Sequence, residues 1–249
     1  MEKITSRRNP LCVHMKKLGA SADYREESGE FLCDGIKLLE EAVISGAEIS
    51  VVLTSAHLPF PLSVDTRVYF AERGLIDSLS PLQHSQDTLF SCRKQPPHDF
   101  VYTGGTHILL DGMQDPGNVG TIIRTANAFG MHSLILTGNY ADPYNPKTIR
   151  ASMGAIFRQK IFRMKISDLA ALRENGAEFI GAAFGRDCTD VSSADLKEKI
   201  IAIGSEGRGL SEKVLDLCGS KITIPVAPEC ESLNAAAAAA IIIWVASRP

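Results

Sequence analysis

The sequence lacks the features that mark a metal site, a disulfide framework or a nucleotide triphosphate site. Its six cysteines, at positions 12, 33, 92, 188, 218 and 230, stand far apart and include no Cys-x-x-Cys pair. The six histidines show no metal-ligand spacing either. Neither a P-loop motif nor Gly-x-Gly-x-x-Gly is present. We therefore expect reduced thiols and no bound metal, and we do not expect a P-loop or dinucleotide fold.

Long apolar runs are missing as well. The longest, from Ala235 to Ala246, is about half alanine and too short to span a bilayer. The first twenty residues carry five basic groups and no apolar segment, which is unlike a signal peptide. These observations predict a cytoplasmic protein that has no membrane partner.

Positive charge is not in excess, because the net charge is −3. This excludes a generally basic nucleic-acid binder, but two local clusters stand out. One lies in the first twenty residues and the other between Asp142 and Asp168, where acidic residues are absent. Either cluster alone would be typical of a solvated face, whereas together they favour a phosphate-binding surface. The first cluster includes Arg7, Arg8, Lys16 and Lys17, and the second Lys147, Arg150, Arg158, Lys160, Arg163 and Lys165.

Paired prolines and glycines in "RKQPPHDFVYTGG" predict a break between two α/β domains. We place a small N-terminal domain at 1–95, a linker at 96–106 and a second domain at 107–249. Beyond the break, apolar strands alternate strictly with helices, which indicates a parallel sheet covered on both faces. Ligands bind such sheets at the carboxyl ends of the strands.

Three loops at those strand ends carry unusual residues. In "DPGNVGTIIRTANAFG" a turn precedes Asn118, which could cap a helix that also carries Arg124. "IGSEGRGLS" places Glu206 in a glycine loop, where a carboxylate would repel a phosphate. "IPVAPECESLNAAAAAAI" leads through Ser232, a second candidate cap, into an alanine-rich helix. Taken singly, each loop is also compatible with ordinary capping and an exposed cation.

In their order along the chain and in their residues, the three loops resemble the signature motifs of the SpoU/TrmH family of RNA ribose 2′-O-methyltransferases, part of the SPOUT superfamily. The intervening segment "NPKTIRASMGAIFR" also resembles sequences of the family, so the resemblance extends over residues 107–249. It implies S-adenosylmethionine as cofactor, a homodimer and a C-terminal trefoil knot. General chain-connection rules would exclude a knot, so that expectation rests on the resemblance alone.

By motif position, the resemblance implies two overlapping sets of site residues. The catalytic set is Arg124, Asn118, Glu206, Ser232 and Asn234. The cofactor-binding set is Gly204, Ile224, Leu233, Glu206, Gly209, Pro225, Ser232 and Asn234. Arg124 is either the base or a cation that orients the target nucleotide. A guanidinium stays protonated, which favours the second role.

The N-terminal stretch resembles the substrate-binding domain of many family members, on the residues "ITSRRNPLCVHMKKL" and "GEFLCDGIKLLEEAV". The added domain favours ribosomal RNA over transfer RNA as substrate. We expect RNA to contact Arg7, Arg8, Lys16, Lys17, Lys147, Arg150 and Arg158. Two other possibilities are a non-catalytic RNA-binding relative and a nucleotide-dependent α/β enzyme of another class.

Overall fold

The computed structural model describes residues 2–83, 85–95, 99–185, 187–227, 229 and 232–248. The chain forms two compact units, which we call the N-terminal and the C-terminal unit. The N-terminal unit comprises Met1–Pro97 and Asp142–Arg158, and the C-terminal unit comprises His98–Ala141 and Gln159–Pro249. Residues 96–98 of the predicted linker lie outside the described residues. Residues 142–158 lie inside the predicted 107–249 domain, yet they pack with the N-terminal residues.

The N-terminal unit is built around a five-stranded mixed sheet with strand order β1-β4-β3-β5-β2. Its strands are β1 (Glu2–Ile4), β2 (Glu30–Asp34), β3 (Ile49–Thr54), β4 (Arg67–Ala71) and β5 (Thr88–Arg93). Its helices are α1 (Pro10–Ala20), α2 (Ala22–Ser28), α3 (Ile36–Ile44), α4 (Arg73–Leu79) and α6 (Pro146–Ser152).

The two faces of this sheet are covered by different parts of the chain. Leu32 and Leu89 belong to a buried core that includes Met15 of α1 and Ile76 of α4. Side chains alternate along a strand, so Phe31 points to the opposite face. There its ring lies 4.8 Å from Tyr144 and 6.2 Å from Phe157. Residues 142–158 therefore complete the core of the N-terminal unit.

The C-terminal unit has a seven-stranded sheet with strand order β10-β12-β9-β11-β6-β7-β8, and its pairings are parallel. Its strands are β6 (His107–Asp111), β7 (Ser133–Thr137), β8 (Ile161–Arg163), β9 (Phe179–Ala182), β10 (Thr189–Asp190), β11 (Ile200–Gly204) and β12 (Ser220–Thr223). Its helices are α5 (Pro116–Ala128), α7 (Ile166–Glu174), α8 (Glu212–Leu215) and α9 (Ala235–Ala246). Across the described residues, no helix is both long and apolar enough to cross a membrane.

The predicted alternation of strand and helix matches this unit, with differences at the helix ends. After the glycine loop, α8 is a single helical turn that ends at Leu215. The helix predicted from Ser232 begins at Ala235, because Asn234 accepts hydrogen bonds from the amides of Ala236 and Ala237. Ser232 is therefore not the cap.

Candidate functional site

Three loops lie at the carboxyl edge of the parallel sheet, after β6, β11 and β12. In the sheet, β11 pairs with β6 and β9, and β12 pairs with β9. Because all these strands run the same way, their following loops share one edge. The three motif loops of the sequence are these loops.

The loop after β11 is a narrow hairpin. The amide of Gly209 donates to Ser205 O at 2.8 Å, and the amide of Ser205 donates to Gly209 O at 3.2 Å. Gly209 has φ +66°, a conformation that favours glycine. A Cβ on Gly204 would clash with the backbone of Gly209 and Leu210, so only glycine fits there. Two of the glycines in "IGSEGRGLS" are thus required by the backbone.

Glu206, on this hairpin, is the centre of a polar cluster formed by all three loops. Its Oε1 accepts hydrogen bonds from Asn118 Nδ2 at 2.6 Å and from Asn234 Nδ2 at 2.5 Å. It also accepts from the amide of Ala235 at 3.2 Å, and Asn234 Nδ2 lies 3.2 Å from Asn118 Oδ1. We call Asn118, Glu206 and Asn234 the amide–carboxylate cluster. It joins three loops that are far apart in sequence.

Helix capping explains why Asn118 is available to this cluster. Asp115 is the N-cap of α5, and its Oδ1 accepts the amide of Asn118 at 2.8 Å. Pro116 fills the first position of the helix, where its missing N–H is no loss. The proposed capping role of Asn118 is therefore wrong, since Asp115 takes it and leaves the Asn118 side chain free to donate to Glu206.

A cleft of about 520 Å³ opens beside the cluster. Its size lies within the range of about 300–1,000 Å³ typical of small-molecule sites. Of the predicted cofactor-binding residues, Gly204, Glu206, Gly209, Ile224, Leu233 and Ser232 line it. Pro225 and Asn234 are not among the lining residues, although Asn234 binds Glu206.

Two side chains near the cleft bind the backbone that follows the hairpin, Asp111 at Ser211 and Cys218 at Val214 of α8. Asp111 ends β6 and is 6% exposed, and its Oδ2 accepts the amide of Ser211 at 2.7 Å. Burial raises the pKa of the Cys218 thiol to about 11, and its Sγ donates to Val214 O at 3.2 Å. The described cysteines are free thiols, whereas Cys230 lies outside the described residues.

Arg124 lies apart from the amide–carboxylate cluster. Six residues separate it from Asn118, which corresponds to about 120° around a helix axis at 3.6 residues per turn. The side chain is exposed and does not line the cleft. It makes no hydrogen bond or ion pair with any residue that the structure describes. The structure therefore brings Asn118, Glu206 and Asn234 together and leaves Arg124 open to solvent.

The predicted RNA-binding residues all belong to the N-terminal unit. Arg7, Arg8, Lys16, Lys17, Lys147, Arg150 and Arg158 have exposed side chains. Arg158 nevertheless forms an ion pair of 2.6 Å with Glu41 and donates to Ser45 Oγ at 3.0 Å. Its charge is therefore already paired within the unit.

Sequence reasoning missed three residues of this site. Phe184 lines the cleft and is 65% exposed, and Arg208 lines it from the hairpin. Asp111, described above, is the third. The available signal for Asp111 was a carboxylate that directly follows three apolar strand residues, 108–110. Phe184 follows its strand in a loop that no motif marks. Within the described part of the chain, no group of three or more His, Cys, Asp or Glu could hold a metal ion.

Comparison with known proteins agrees with the geometry. The model of the SpoU rRNA Methylase family matches residues 105–244. The chain belongs to the SpoU rRNA methylase family. It is 28% identical to RlmP of Bacillus subtilis (strain 168), named a 23S rRNA (guanosine(2553)-2′-O)-methyltransferase, over 98% of each chain. It is 30% identical to a 23S rRNA (uridine(2479)-2′-O)-methyltransferase of Streptomyces viridochromogenes, over 99% of this chain and 92% of that one.

Among solved structures, an AdoMet-bound rRNA methyltransferase from Sinorhizobium meliloti superposes with a TM-score of 0.86. It is 26% identical and covers 98% of this chain and 97% of its own. The predicted SpoU family and its α/β fold class are confirmed.

Proposed function

We propose that this protein transfers a methyl group from S-adenosylmethionine to a ribose 2′-hydroxyl of structured RNA, with ribosomal RNA as the substrate. The observation that carries the proposal is the amide–carboxylate cluster beside an open cleft, built from the three family loops. Relatives that match nearly the whole chain are named as 23S rRNA 2′-O-methyltransferases. Transfer RNA is the alternative substrate.

The cleft fits S-adenosylmethionine in size and in chemistry. Its walls are apolar at Ile203, Leu210, Ile224, Leu233 and Ile242, which suits an adenine ring. Peptide groups of the glycine hairpin lie beside these walls and can bind the ribose and adenine edges. The cofactor supplies a methyl group that its sulfonium already activates.

For the transfer itself, the chain's task is to align the 2′-oxygen with the methyl group, and the 2′-hydroxyl proton is released to solvent water. Arg124 stays charged and exposed, which suits bidentate binding of the target nucleotide's phosphate and hydroxyl. Asn118 and Asn234 are held by hydrogen bonds to Glu206 and orient the ribose at the edge of the cleft. Ser232 lines the same cleft. In this mechanism Arg124 is an orienting cation rather than the base.

RNA recognition is assigned to the N-terminal unit. Arg7 and Arg8 precede α1, while Lys16 and Lys17 are exposed on it. Lys147 and Arg150 belong to α6 of the same unit. The first basic cluster and the Lys147, Arg150 and Arg158 part of the second therefore lie in one compact unit, as expected of a single phosphate-binding surface, whereas Lys160, Arg163 and Lys165 belong to the C-terminal unit.

The active form that we propose is a cytoplasmic homodimer. On the C-terminal unit, α5 packs against α9, and large apolar side chains of this helix pair stay exposed. Phe129 is 40% exposed, Ile241 37% and Trp244 45%. We expect light scattering to give twice the mass of one chain, and Trp244→Glu to give a monomer. A wild-type monomer at micromolar concentration would contradict the dimer.

The test of the proposed function is a map of 2′-O-methyl groups in RNA from cells with and without the gene. We expect one or a few ribosomal positions to lose the modification and to regain it with the purified enzyme and S-adenosylmethionine. Loss confined to transfer RNA would establish the alternative substrate. An unchanged map, with no methyl transfer in vitro, would refute the proposal.

A further inference from the structure

The charged side chains that line the cleft are few. Among its described lining residues they are Glu206 and Arg208, which stand two positions apart on the hairpin. The other lining residues are apolar, glycine or hydroxyl-bearing. Among the described residues, these two are therefore the charged groups that a charged ligand would meet in the cleft.

The carboxylate of Glu206 is already engaged. Its Oε1 accepts from the side-chain amides of Asn118 and Asn234 and from the backbone amide of Ala235. These donors come from both neighbouring loops and hold Oε1 against them, while the residue itself stays exposed. Glu206 thus serves the cluster rather than a ligand cation.

Arg208 is in the opposite situation. Its side chain is exposed, and the structure gives it no hydrogen bond or ion pair with a described residue. The hairpin beneath it is fixed by the two Ser205–Gly209 hydrogen bonds and by the close packing of Gly204. A guanidinium is thereby presented at the cleft from a rigid base, with its five donors unused.

We propose that Arg208 binds the carboxylate of the amino-acid end of S-adenosylmethionine. This assignment rests on the proposed function. The cofactor carries a sulfonium, an ammonium and a carboxylate, so the carboxylate is the group that a cation attracts. Guanidinium and carboxylate pair through two parallel N–H···O bonds, which gives the contact directional strength.

The test is a cycle of binding measurements by calorimetry, with no turnover involved. One ligand is S-adenosylhomocysteine, and the other is S-adenosyl-3-thiopropylamine, which differs from it only by lacking the carboxyl group. Arg208→Gln should weaken S-adenosylhomocysteine binding about tenfold or more, the loss expected for a charge-assisted pair. The same variant should leave the affinity for the decarboxylated ligand unchanged.

Two further variants control the cycle. Arg208→Lys should recover part of the affinity for S-adenosylhomocysteine, because the charge returns without the bidentate fork. Lys213→Gln removes a nearby exposed cation of α8 outside the cleft and should change neither affinity.

Three results would overturn the assignment. Equal losses for both ligands would mean that the substitution damages the hairpin. Unchanged binding of both would mean that Arg208 does not touch the cofactor. A loss of RNA affinity alone would make Arg208 a phosphate contact. If the wild-type protein binds neither ligand, the proposed function itself fails, and that outcome is distinct from all three.

Discussion

The two units use buried and exposed charge in opposite ways. In the N-terminal unit, Arg25 is 3% exposed and its Nη2 lies 2.7 Å from Asp142 Oδ2. In the C-terminal unit, Glu206 is exposed at the sheet edge, and its partners among the described residues are side-chain and backbone amides. The first arrangement ties a distant segment into a core, whereas the second keeps polar groups ready for a ligand.

The largest expected effect is on the chemistry of the C-terminal unit. Arg124→Ala should lower kcat by about 10²–10³-fold, because the cation that orients the reacting nucleotide is lost. The melting temperature should not change, since the exposed side chain holds nothing in the fold. Single-turnover methyl transfer and calorimetry with RNA would check this. Activity retained in Arg124→Ala would remove the residue from the mechanism.

A loss of stability is expected from the ion pair of the N-terminal unit. Asp142→Ala leaves the Arg25 guanidinium buried with only Leu18 O to accept from it, at 2.7 Å. Removing one partner of a buried pair costs about 3 kcal/mol or more of unfolding free energy. Thermal and urea unfolding would measure the loss.

Two control variants separate the buried pair from surface charge. Arg25→Met combined with Asp142→Leu should recover part of the loss, because no charge is left buried. Glu72→Gln breaks the exposed pair with Lys3 and should leave the melting temperature unchanged. Equal melting temperatures for Asp142→Ala and wild type would show that the pair does not hold the segment.

The third effect is on RNA affinity. Neutralising Arg7, Arg8, Lys16 and Lys17 together should weaken RNA binding and flatten its salt dependence, by close to one unit of slope per lost phosphate contact. Cofactor affinity should stay the same, because these residues belong to the other unit. Filter binding over a salt series would show it. If the fourfold variant methylated RNA at the normal rate at subsaturating RNA concentration, these residues would be an ordinary solvent-exposed surface that does not bind RNA.

A smaller effect is expected from Phe184, at the cleft of the C-terminal unit. Stacking on a base contributes about 1–3 kcal/mol, so Phe184→Ala should weaken S-adenosylhomocysteine binding about tenfold. Phe184→Tyr should bind normally. The sequence contains one tryptophan, so Phe184→Trp combined with Trp244→Phe gives a single reporter. Fluorescence of that reporter unaffected by ligand would place Phe184 away from the adenine.

The smallest expected effect is on how stability depends on pH, and the two units should differ in this as well. Burial lowers the pKa of His107 below 6.5. As pH falls below 6.5, this histidine is therefore protonated more readily in the unfolded chain than in the folded one, and the C-terminal unit loses stability. Burial raises the pKa of Glu30, but hydrogen bonds from Ser91, His14 and Ser50 outweigh this and leave it below 4.5. The stability from Glu30 is lost only as pH falls below 4.5.

Hydrogen exchange at neutral pH and at about pH 5.5 would separate the two units. Peptides of β6 should open more readily at the lower pH, and those of β2 should not. His107→Asn should abolish the difference. If β2 opened before β6 as the pH falls, the acid-sensitive unit would be the N-terminal one, contrary to this prediction.

Local patterns predicted most of the C-terminal unit. Its apolar strands and the loops around Asn118, Glu206 and Asn234 follow short-range rules of periodicity and turn chemistry. The cap of α5 was misplaced because Asp115 and Asn118 are both good caps, and only the fold decides between them. Phe184 and Arg208 were missed because exposed loop side chains carry no periodic signal.

The position of 142–158 could not be predicted for a different reason. The contacts of Phe31 with Tyr144 and of Arg25 with Asp142 join residues more than a hundred positions apart. No local pattern records such a pairing. Asp34 and Arg150 are a further example. Burial raises the pKa of the Asp34 carboxyl, and the charge of the distant Arg150 offsets part of that rise.

The insertion of 142–158 into the N-terminal unit also sets an order for synthesis. A ribosome delivers residues 1–95 first, when the face of the sheet that carries Phe31 has nothing to cover it. At about 5–20 residues per second, several seconds pass before Phe157 leaves the exit tunnel. During that interval the sheet face that carries Phe31 stays uncovered, so the core of the N-terminal unit can close only after synthesis has passed well beyond its own first 95 residues.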